Sequence, residues 1–102
     1  MGMGMFIALV EFLGPDKGGR NTYPESGYHP QIDTGSEFTS CAIESMNEET
    51  VFAFDTPHRV ALRLLFPDLY RDRFSVGSKV QFYEGSHLVG TGTIFEICSR
   101  TK

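Results

Sequence analysis

Glycine and proline occur so often along this chain that they leave no room for a long helix. Eleven glycines and five prolines are scattered through its 102 residues, and both residue types end or interrupt regular secondary structure. No segment of twelve or more residues carries apolar side chains at the i, i+3, i+4, i+7 spacing of an amphipathic helix. Valine, isoleucine, threonine, phenylalanine and tyrosine are abundant while alanine is scarce, which favours short β-strands.

Six short segments have the alternation or the apolar content of β-strands, and tight turns join most of them. They are residues 5–13, 28–32, 37–46, 59–66, 80–84 and 88–97. Between the last two, Gly85 and Ser86 suit the two-residue type II′ turn of a β-hairpin. This pattern predicts one all-β domain over residues 1–102, a small closed antiparallel barrel or a sandwich, and closure removes unpaired strand edges. We also expect a flexible start at residues 1–4, a long polar loop at 14–27 and a charged connection at 68–78.

The first predicted strand is apolar on both faces. Its alternate residues fall into two sets, with Phe6, Ala8, Val10 and Phe12 on one face and Ile7 and Leu9 on the other. Because a strand surface that faces water normally carries polar side chains, we expect Ile7 and Leu9 to be covered. The cover is either a loop of the same chain, a partner protein or a second copy in a homodimer.

Acidic and basic side chains are distributed unevenly along the sequence. Residues 1–57 contain nine acidic side chains and two basic ones, Lys17 and Arg20, whereas residues 58–102 contain seven basic and four acidic ones. The net charge of −4 provides no general attraction to the phosphates of nucleic acids, because lysine and arginine supply that attraction. The excess of acid either serves solubility or forms an acidic face for a basic partner.

The sequence contains no motif for catalysis, nucleotide binding or metal binding. The glycine-rich stretch at residues 14–20 lacks the Gly-Lys-Ser/Thr order and the following helix of a phosphate-binding loop. His29, His58 and His87 stand at no spacing that suits a nucleophile's base or a metal site, and we expect each to be structural. We therefore predict a protein that is not an enzyme and that holds no cofactor, metal ion or GTP.

The two cysteines and the absence of a long apolar run indicate in which cellular compartment the protein is found. Cys41 and Cys98 form no C-x-x-C pair. Because a chain of this size could form at most one disulfide, we expect two reduced, buried thiols. The sequence does not indicate whether the two lie near each other. No apolar run approaches the roughly 20 residues of a membrane-spanning helix, and the first run lacks the flanks of a signal peptide. These features predict a cytoplasmic protein that does not contact a membrane.

Three motifs, in order along the chain, carry a resemblance to a known family. Gly18-Gly19-Arg20-Asn21-Thr22 and Gly27-Tyr28-His29-Pro30-Gln31 resemble the strings G-G-R-H-T and G-Y-R-P-Q in the C-terminal, third domain of translation elongation factor Tu. Residues 84–92, E-G-S-H-L-V-G-T-G, are similar to its string E-G-G-R-T-V-G-A-G, and residues 60–67 resemble a family strand that ends in proline. The resemblance extends over about residues 6–97. It implies a six-stranded antiparallel barrel that stands without the factor's GTPase domain.

The resemblance also implies a set of contact residues. In the family this barrel touches the T-stem backbone of transfer RNA, and the matching positions imply a phosphate contact by Arg20 and a close approach to a sugar by the Gly85 backbone. The full set of implied RNA or partner contacts is Arg20, Asn21, His29, Gln31, Gly85 and His87. Histidine replaces a family arginine at two of these positions, 29 and 87, which removes two positive charges.

A structural role for the same motifs is the alternative to contact with RNA. Gly18, Gly19 and Gly27 can supply unusual backbone angles, and Tyr28 and Gln31 can pack and hydrogen-bond the long loop onto the barrel. Such a role would explain the motif residues without any RNA.

Three functions fit these features. The first is a non-catalytic, stand-alone barrel that binds a protein partner through the face of Ile7 and Leu9. The second is an accessory protein that contacts transfer RNA or the translation machinery through the surface of Arg20 and Gly85. The third is a small acidic immunity-type protein that mimics the factor and captures a toxin.

Overall fold

Six antiparallel strands close into a barrel in this protein, whose structure is a computed structural model that describes residues 5–98. The strands are β1 (Met5–Phe12), β2 (Gln31–Asp33), β3 (Phe38–Ser45), β4 (His58–Leu64), β5 (Lys79–Glu84) and β6 (His87–Cys98). Around the barrel they follow the order β1-β4-β3-β2-β5-β6, and β6 pairs with β1. The predicted all-β fold, a small closed six-stranded barrel, is confirmed. The prediction of a flexible start at residues 1–4 lies outside the described residues.

One hydrophobic core fills the barrel, and strand alternation selects its members. The inward-facing residues of two central strands are buried as the alternation predicts: Phe6, Ala8, Val10 and Phe12 in β1, and Val60, Leu62 and Leu64 in β4. Phe52, from the connection between β3 and β4, stacks on Phe12 with 5.2 Å between the ring centroids. Full burial of side chains of this size contributes about 1.5–3 kcal/mol each. The loops at both ends therefore stand on a well-packed barrel.

The second strand begins later than the sequence predicts, and a proline explains the difference. The segment predicted at residues 28–32 becomes a regular strand only at Gln31, because Pro30 has no amide hydrogen to donate to a ladder. The carbonyl of Pro30 still accepts a hydrogen bond from the Cys41 amide at 3.1 Å. Before the break, Tyr28 forms an isolated antiparallel bridge to Ile43. The chain thus follows β3 on both sides of the proline.

The fourth strand ends earlier than predicted. The segment predicted at residues 59–66 is regular only to Leu64, and Phe66, which continues the alternation of the inward-facing Leu62 and Leu64, is 51% exposed. Pro67 begins the short helix α1 (Pro67–Tyr70), and a residue that precedes proline is restricted in its backbone angles. A 3₁₀ turn at Arg71–Arg73 follows. The predicted charged connection at 68–78 therefore begins with two short helical segments.

The connections gather at two ends of the barrel. Residues 13–30, 46–57 and 85–86 meet at one end, which we call the loop end. Residues 34–37 and 65–78 meet at the other, which we call the helix end. Of the helices in residues 5–98, none has the length and apolar content needed to cross a membrane.

Ile7 and Leu9 share the outward face of β1, but their side chains differ in exposure to solvent. Ile7 is only 3% exposed, beside the equally covered Ala61, its partner on β4. Leu9 is 47% exposed. Because Ile7 is covered within a single chain, its assignment to a face that touches a partner is wrong: the chain itself provides the cover. Leu9 remains open to contact.

The two cysteines lie in different environments, and both are free thiols. Cys41 belongs to the core, and burial raises the pKa of its thiol to about 12. Cys98 is the last residue of β6 and is half-buried. The expectation of two buried thiols therefore holds for Cys41 only.

Candidate functional site

A cleft opens at the loop end, between the long loop and the hairpin of β5 and β6. Its volume is about 600 Å³, and its lining residues are Pro15, Gly18, Gly19, Arg20, Asn21, Thr22, Glu84, His87 and Val89. Three of the six predicted contact residues, Arg20, Asn21 and His87, are therefore brought together, although they come from distant parts of the chain. Gly85 adjoins them at the hairpin turn, where its φ of 61° suits the first position of a type II′ turn.

The other two predicted contact residues lie elsewhere on the surface. His29 is exposed in the loop just before Pro30, and Gln31 is exposed on β2, between its partners Ser40 and Tyr83. Neither of them lines the cleft. The structure therefore does not gather all six predicted residues into one site.

The glycines of the motif shape the loop in two different ways. Gly18 and Gly27 have positive φ angles of 76° and 96°, the left-handed region that favours glycine. Gly19 is not among the residues with positive φ in the described chain, so the unusual backbone angle predicted for it is wrong. Its backbone passes so close to Leu13 that a Cβ atom would lie 2.0 Å from the Leu13 carbonyl oxygen. Close approach, not conformation, requires glycine here.

Arg20, Tyr28 and Glu84 form a bonded cluster at the edge of the cleft. The Nη1 atom of Arg20 donates to Oε2 of Glu84 at 2.5 Å, and the hydroxyl of Tyr28 donates to the same oxygen. The Arg20 guanidinium also lies over the Tyr28 ring, 4.8 Å from its centroid. Its Nε donates to the carbonyl of Thr22 at 3.0 Å. The cluster ties the long loop to the end of β5.

The cluster shifts the acid–base properties of its members. Partial burial acts to raise the pKa of Glu84, but hydrogen bonds from Tyr28 and Arg20, with the charge of Arg20, outweigh burial and hold the pKa below its usual range. Burial and the hydrogen bond to Glu84 raise the pKa of Tyr28 well above its usual range. Glu84 is therefore an anion and Tyr28 a neutral donor at neutral pH, which keeps Arg20 engaged with a carboxylate.

The loop end as a whole is acidic. Its loops and the hairpin start hold Asp16, Glu25, Glu48, Glu49, Asp55 and Glu84 against only two cations, Lys17 and Arg20. Both cations are in ion pairs, since Lys17 Nζ lies 2.8 Å from Asp55 Oδ1 and Arg20 is bonded to Glu84. A polyanion that approaches this end meets net negative charge.

His58 is a buried polar residue under the loop end. Its Nε2 lies 2.9 Å from the carbonyl oxygen of Ala53, and its Nδ1 lies 3.1 Å from a carboxylate oxygen of Glu49. A carbonyl oxygen only accepts, so Nε2 carries the proton in that contact. Both ring nitrogens are occupied, and the histidine pins the connection between β3 and β4 to the start of β4.

The apolar face predicted on β1 extends onto β6 through Phe95, which the sequence did not indicate. The ladder between β1 and β6 shifts register between Ile7 and Ala8, and Phe95, in the shifted part of β6, is exposed like Leu9. The Arg59 guanidinium lies 5.3 Å from the centre of the Phe95 ring. Alternation alone predicts the outward position of Leu9 but not that of Phe95, because a β-bulge changes which side chains face outward.

Comparison with known proteins does not identify a family for this chain. No protein-family model matches it, and no curated protein is significantly similar to it. The resemblance to the third domain of elongation factor Tu therefore rests on three sequence motifs and stays a prediction.

Proposed function

We propose that this chain is a non-catalytic barrel that binds another protein through the outer face of β1 and β6. The observation that carries the proposal is the exposure of Leu9 and Phe95. They belong to one face, because Arg59 is the β4 partner of Leu9 and its guanidinium lies over the Phe95 ring. Exposed aromatic and aliphatic side chains that stand together on a small domain are typical of binding surfaces. The resemblance to a translation-factor domain, whose natural position is against other domains, agrees with such a role.

Charge beside this patch specifies the chemistry of the partner. Arg59 is the β4 partner of Leu9 and forms no ion pair with any residue in the range 5–98. Across β6, Lys79 donates only a hydrogen bond, to Thr93 Oγ1 at 3.3 Å. Two cations thus flank an apolar centre in which arginine and an aromatic residue can dominate binding, and two exposed carboxylates, Glu11 on β1 and Glu96 on β6, share the face. The partner surface is apolar at its centre and carries charges of both signs at its edge.

Two further observations support a role without catalysis. Cys41 is buried and its thiol pKa is raised to about 12, which leaves it un-ionised at neutral pH and unsuited to act as a nucleophile. Both ring nitrogens of His58 are engaged inside the protein. We place the protein in the cytoplasm, since its two free thiols fit a reducing compartment.

Site-specific photo-crosslinking tests the protein-binding proposal. A photoreactive phenylalanine derivative placed at position 9 is expected to form one saturable adduct in host cells, and Phe95→Ser or Arg59→Glu should abolish it. The same derivative at Leu69, which is exposed at the helix end, is the matched control and should give no such adduct. If position 9 crosslinks no more than position 69, the proposal is wrong. An adduct made only with a second copy of the chain would show a homodimer instead.

A second candidate function is contact with RNA through the cleft. The observation that favours it is the gathering of Arg20, Asn21 and His87 around one opening. Glu84 opposes it, because the carboxylate occupies the guanidinium that would bind phosphate. Transfer RNA binding at low salt, measured by filter retention, should be weak for the natural chain and stronger for Glu84→Gln. Equal, undetectable binding by both proteins would exclude this function.

A further inference from the structure

Two segments of the loop end pair with each other and form a small ribbon over the barrel. Glu25 and Val51 are antiparallel partners. The Ser26 amide donates to the carbonyl of Thr50 at 3.0 Å, and the Phe52 amide donates to the carbonyl of Pro24 at 2.8 Å. Successive side chains of a paired segment point to opposite sides. Because Pro24 and Phe52 are buried, Glu25 and Val51 point away from the barrel.

The outward side of this ribbon is apolar at its centre. Val51 is 44% exposed and Tyr23, two residues before Glu25, is 50% exposed. The Tyr23 ring is held edge-on against Phe54, with 4.8 Å between centroids. Ser45 links the ribbon to β3, because its amide donates to Ser26 Oγ at 2.9 Å. We call the exposed side chains Tyr23, Glu25, Met46, Glu48 and Val51 the cap patch.

The border of the cap patch is acidic and is not neutralised. Residues 21–57 contain no lysine or arginine, so the segments that build the patch bring no cation to it. Arg59 adjoins the patch through its backbone, whose carbonyl accepts from the Met46 amide, but its guanidinium lies over the Phe95 ring. Glu25 and Glu48 form no ion pair in the part of the chain that the structure describes. Of the other acids nearby, Glu49 is bonded to His58 and Asp55 to Lys17. Two carboxylates without an ion pair in residues 5–98 therefore accompany the exposed Val51: Glu25 is its antiparallel partner, and Glu48 stands three residues before it in the chain.

We propose that the cap patch is a docking surface for a protein segment in which arginine or lysine alternates with large apolar residues. Tyr23, Met46 and Val51 provide the apolar area that drives binding, and Glu25 and Glu48 provide charge that a guanidinium or ammonium group complements. The same charge excludes nucleic acid. This surface lies at the loop end. It adjoins the outer face where the Met46 amide donates to the carbonyl of Arg59, but it would take a basic segment, so it goes beyond the proposed function.

Three synthetic peptides of equal length serve as probes. In one, arginine alternates with leucine; in the second, arginine alternates with serine; in the third, glutamate alternates with leucine. Binding is followed by fluorescence anisotropy at low and high salt, and the site is located by amide chemical shifts in NMR spectra. We expect only the arginine–leucine peptide to bind tightly, with salt weakening it through screening, and with shifts centred on residues 23–26 and 46–52.

Variants separate the apolar contribution from the charged one. Val51→Ser is expected to weaken the arginine–leucine peptide about tenfold at every salt concentration, since it removes apolar contact. Glu25→Gln with Glu48→Gln should weaken it by about fivefold at low salt only, in keeping with exposed ion pairs. Leu69→Ser, at the opposite end, is the matched control and should leave binding unchanged. Unaltered NMR spectra away from the changed side chains establish that each variant is folded.

Four results would overturn the proposal. They are absence of binding by the arginine–leucine peptide, equal binding of the arginine–serine peptide, shifts centred on Leu9 and Phe95 instead of the cap patch, and tighter binding of single-stranded RNA than of the peptide at the same salt. The outer-face proposal survives each of them, because its test uses position 9.

Discussion

Gly19 lies where the long loop crosses the backbone of Leu13, and the crossing leaves no space for a side chain. A Cβ atom there would be 2.0 Å from the Leu13 carbonyl oxygen and 2.5 Å from the carbonyl carbon. Neither atom is the end of a flexible side chain that could rotate away. A Gly19→Ala substitution must therefore move the backbone of the loop, and we expect it to destabilise the protein.

The hydrogen bonds at the crossing set the size of the effect. The Gly19 amide donates to Gly14 and the Arg20 amide to Leu13, both at 2.9 Å, and each such bond contributes about 1 kcal/mol. Forced overpacking adds about 1–3 kcal/mol. We expect the free energy of unfolding to fall by about 3 kcal/mol. For a domain of this size that corresponds to a drop in Tm of about 12–24 °C.

Gly18→Ala is the matched control for this prediction. Gly18 has a φ of 76° and no atom within 4 Å of where its Cβ would be, so alanine there meets only the strain of the left-handed conformation, about 1–2 kcal/mol. Urea denaturation followed by circular dichroism gives both free energies. The close-approach argument is refuted if Gly19→Ala is as stable as Gly18→Ala, or if it differs from the natural chain by less than about 0.5 kcal/mol.

Three other predictions follow from the core and the cluster. The folded-state pKa of Glu84 is lowered, so the contribution of Glu84 to stability is present above the unfolded pKa of about 4.3 and is lost as pH falls through the folded pKa. Glu84→Gln should therefore lower Tm at neutral pH and reduce the difference in Tm between neutral and acidic solution. Phe52→Ala, which empties a fully buried position, should cost about 3–5 kcal/mol in urea denaturation. Cys41 should resist a thiol-reactive dye in the folded protein and react on unfolding, whereas half-buried Cys98 should react first.

Regular alternation could be predicted from the sequence, and local irregularities could not. Phe6, Ala8, Val10 and Phe12 face the core because a strand has a period of two, and this follows from the residues alone. The outward position of Phe95 depends on a register shift where β1 pairs with β6. Such a bulge is set by pairing between strands distant in sequence, which no local pattern encodes. The break at Pro30 could have been placed more accurately, because proline cannot donate to a ladder.

The position of the candidate site could be predicted from the sequence, but the hydrogen bonds between its residues could not. The resemblance implied that Arg20 and the turn at Gly85 belong to one surface, and the structure places Arg20 and His87 around one cleft. The motifs did not reveal that Glu84 takes up the Arg20 guanidinium. A carboxylate in a motif can face solvent, a partner or its own chain, and only the fold decides among these. The cap patch was equally hidden, because its ribbon pairs residues 24–26 with 50–52 across a long sequence separation.

The cluster of Arg20, Tyr28 and Glu84 opposes the binding of an anion at the loop end. Glu84 is attached to the same chain and meets Arg20 without the loss of translational freedom that an incoming phosphate suffers, which costs several kcal/mol or more. Tyr28 strengthens the carboxylate's position by donating to the same oxygen. The surrounding acids add repulsion that grows as salt is lowered. A phosphate ligand would have to displace a bonded carboxylate and enter a negative field, whereas a cationic protein segment at the cap patch displaces nothing. The structure thus favours a basic protein partner over RNA at the loop end.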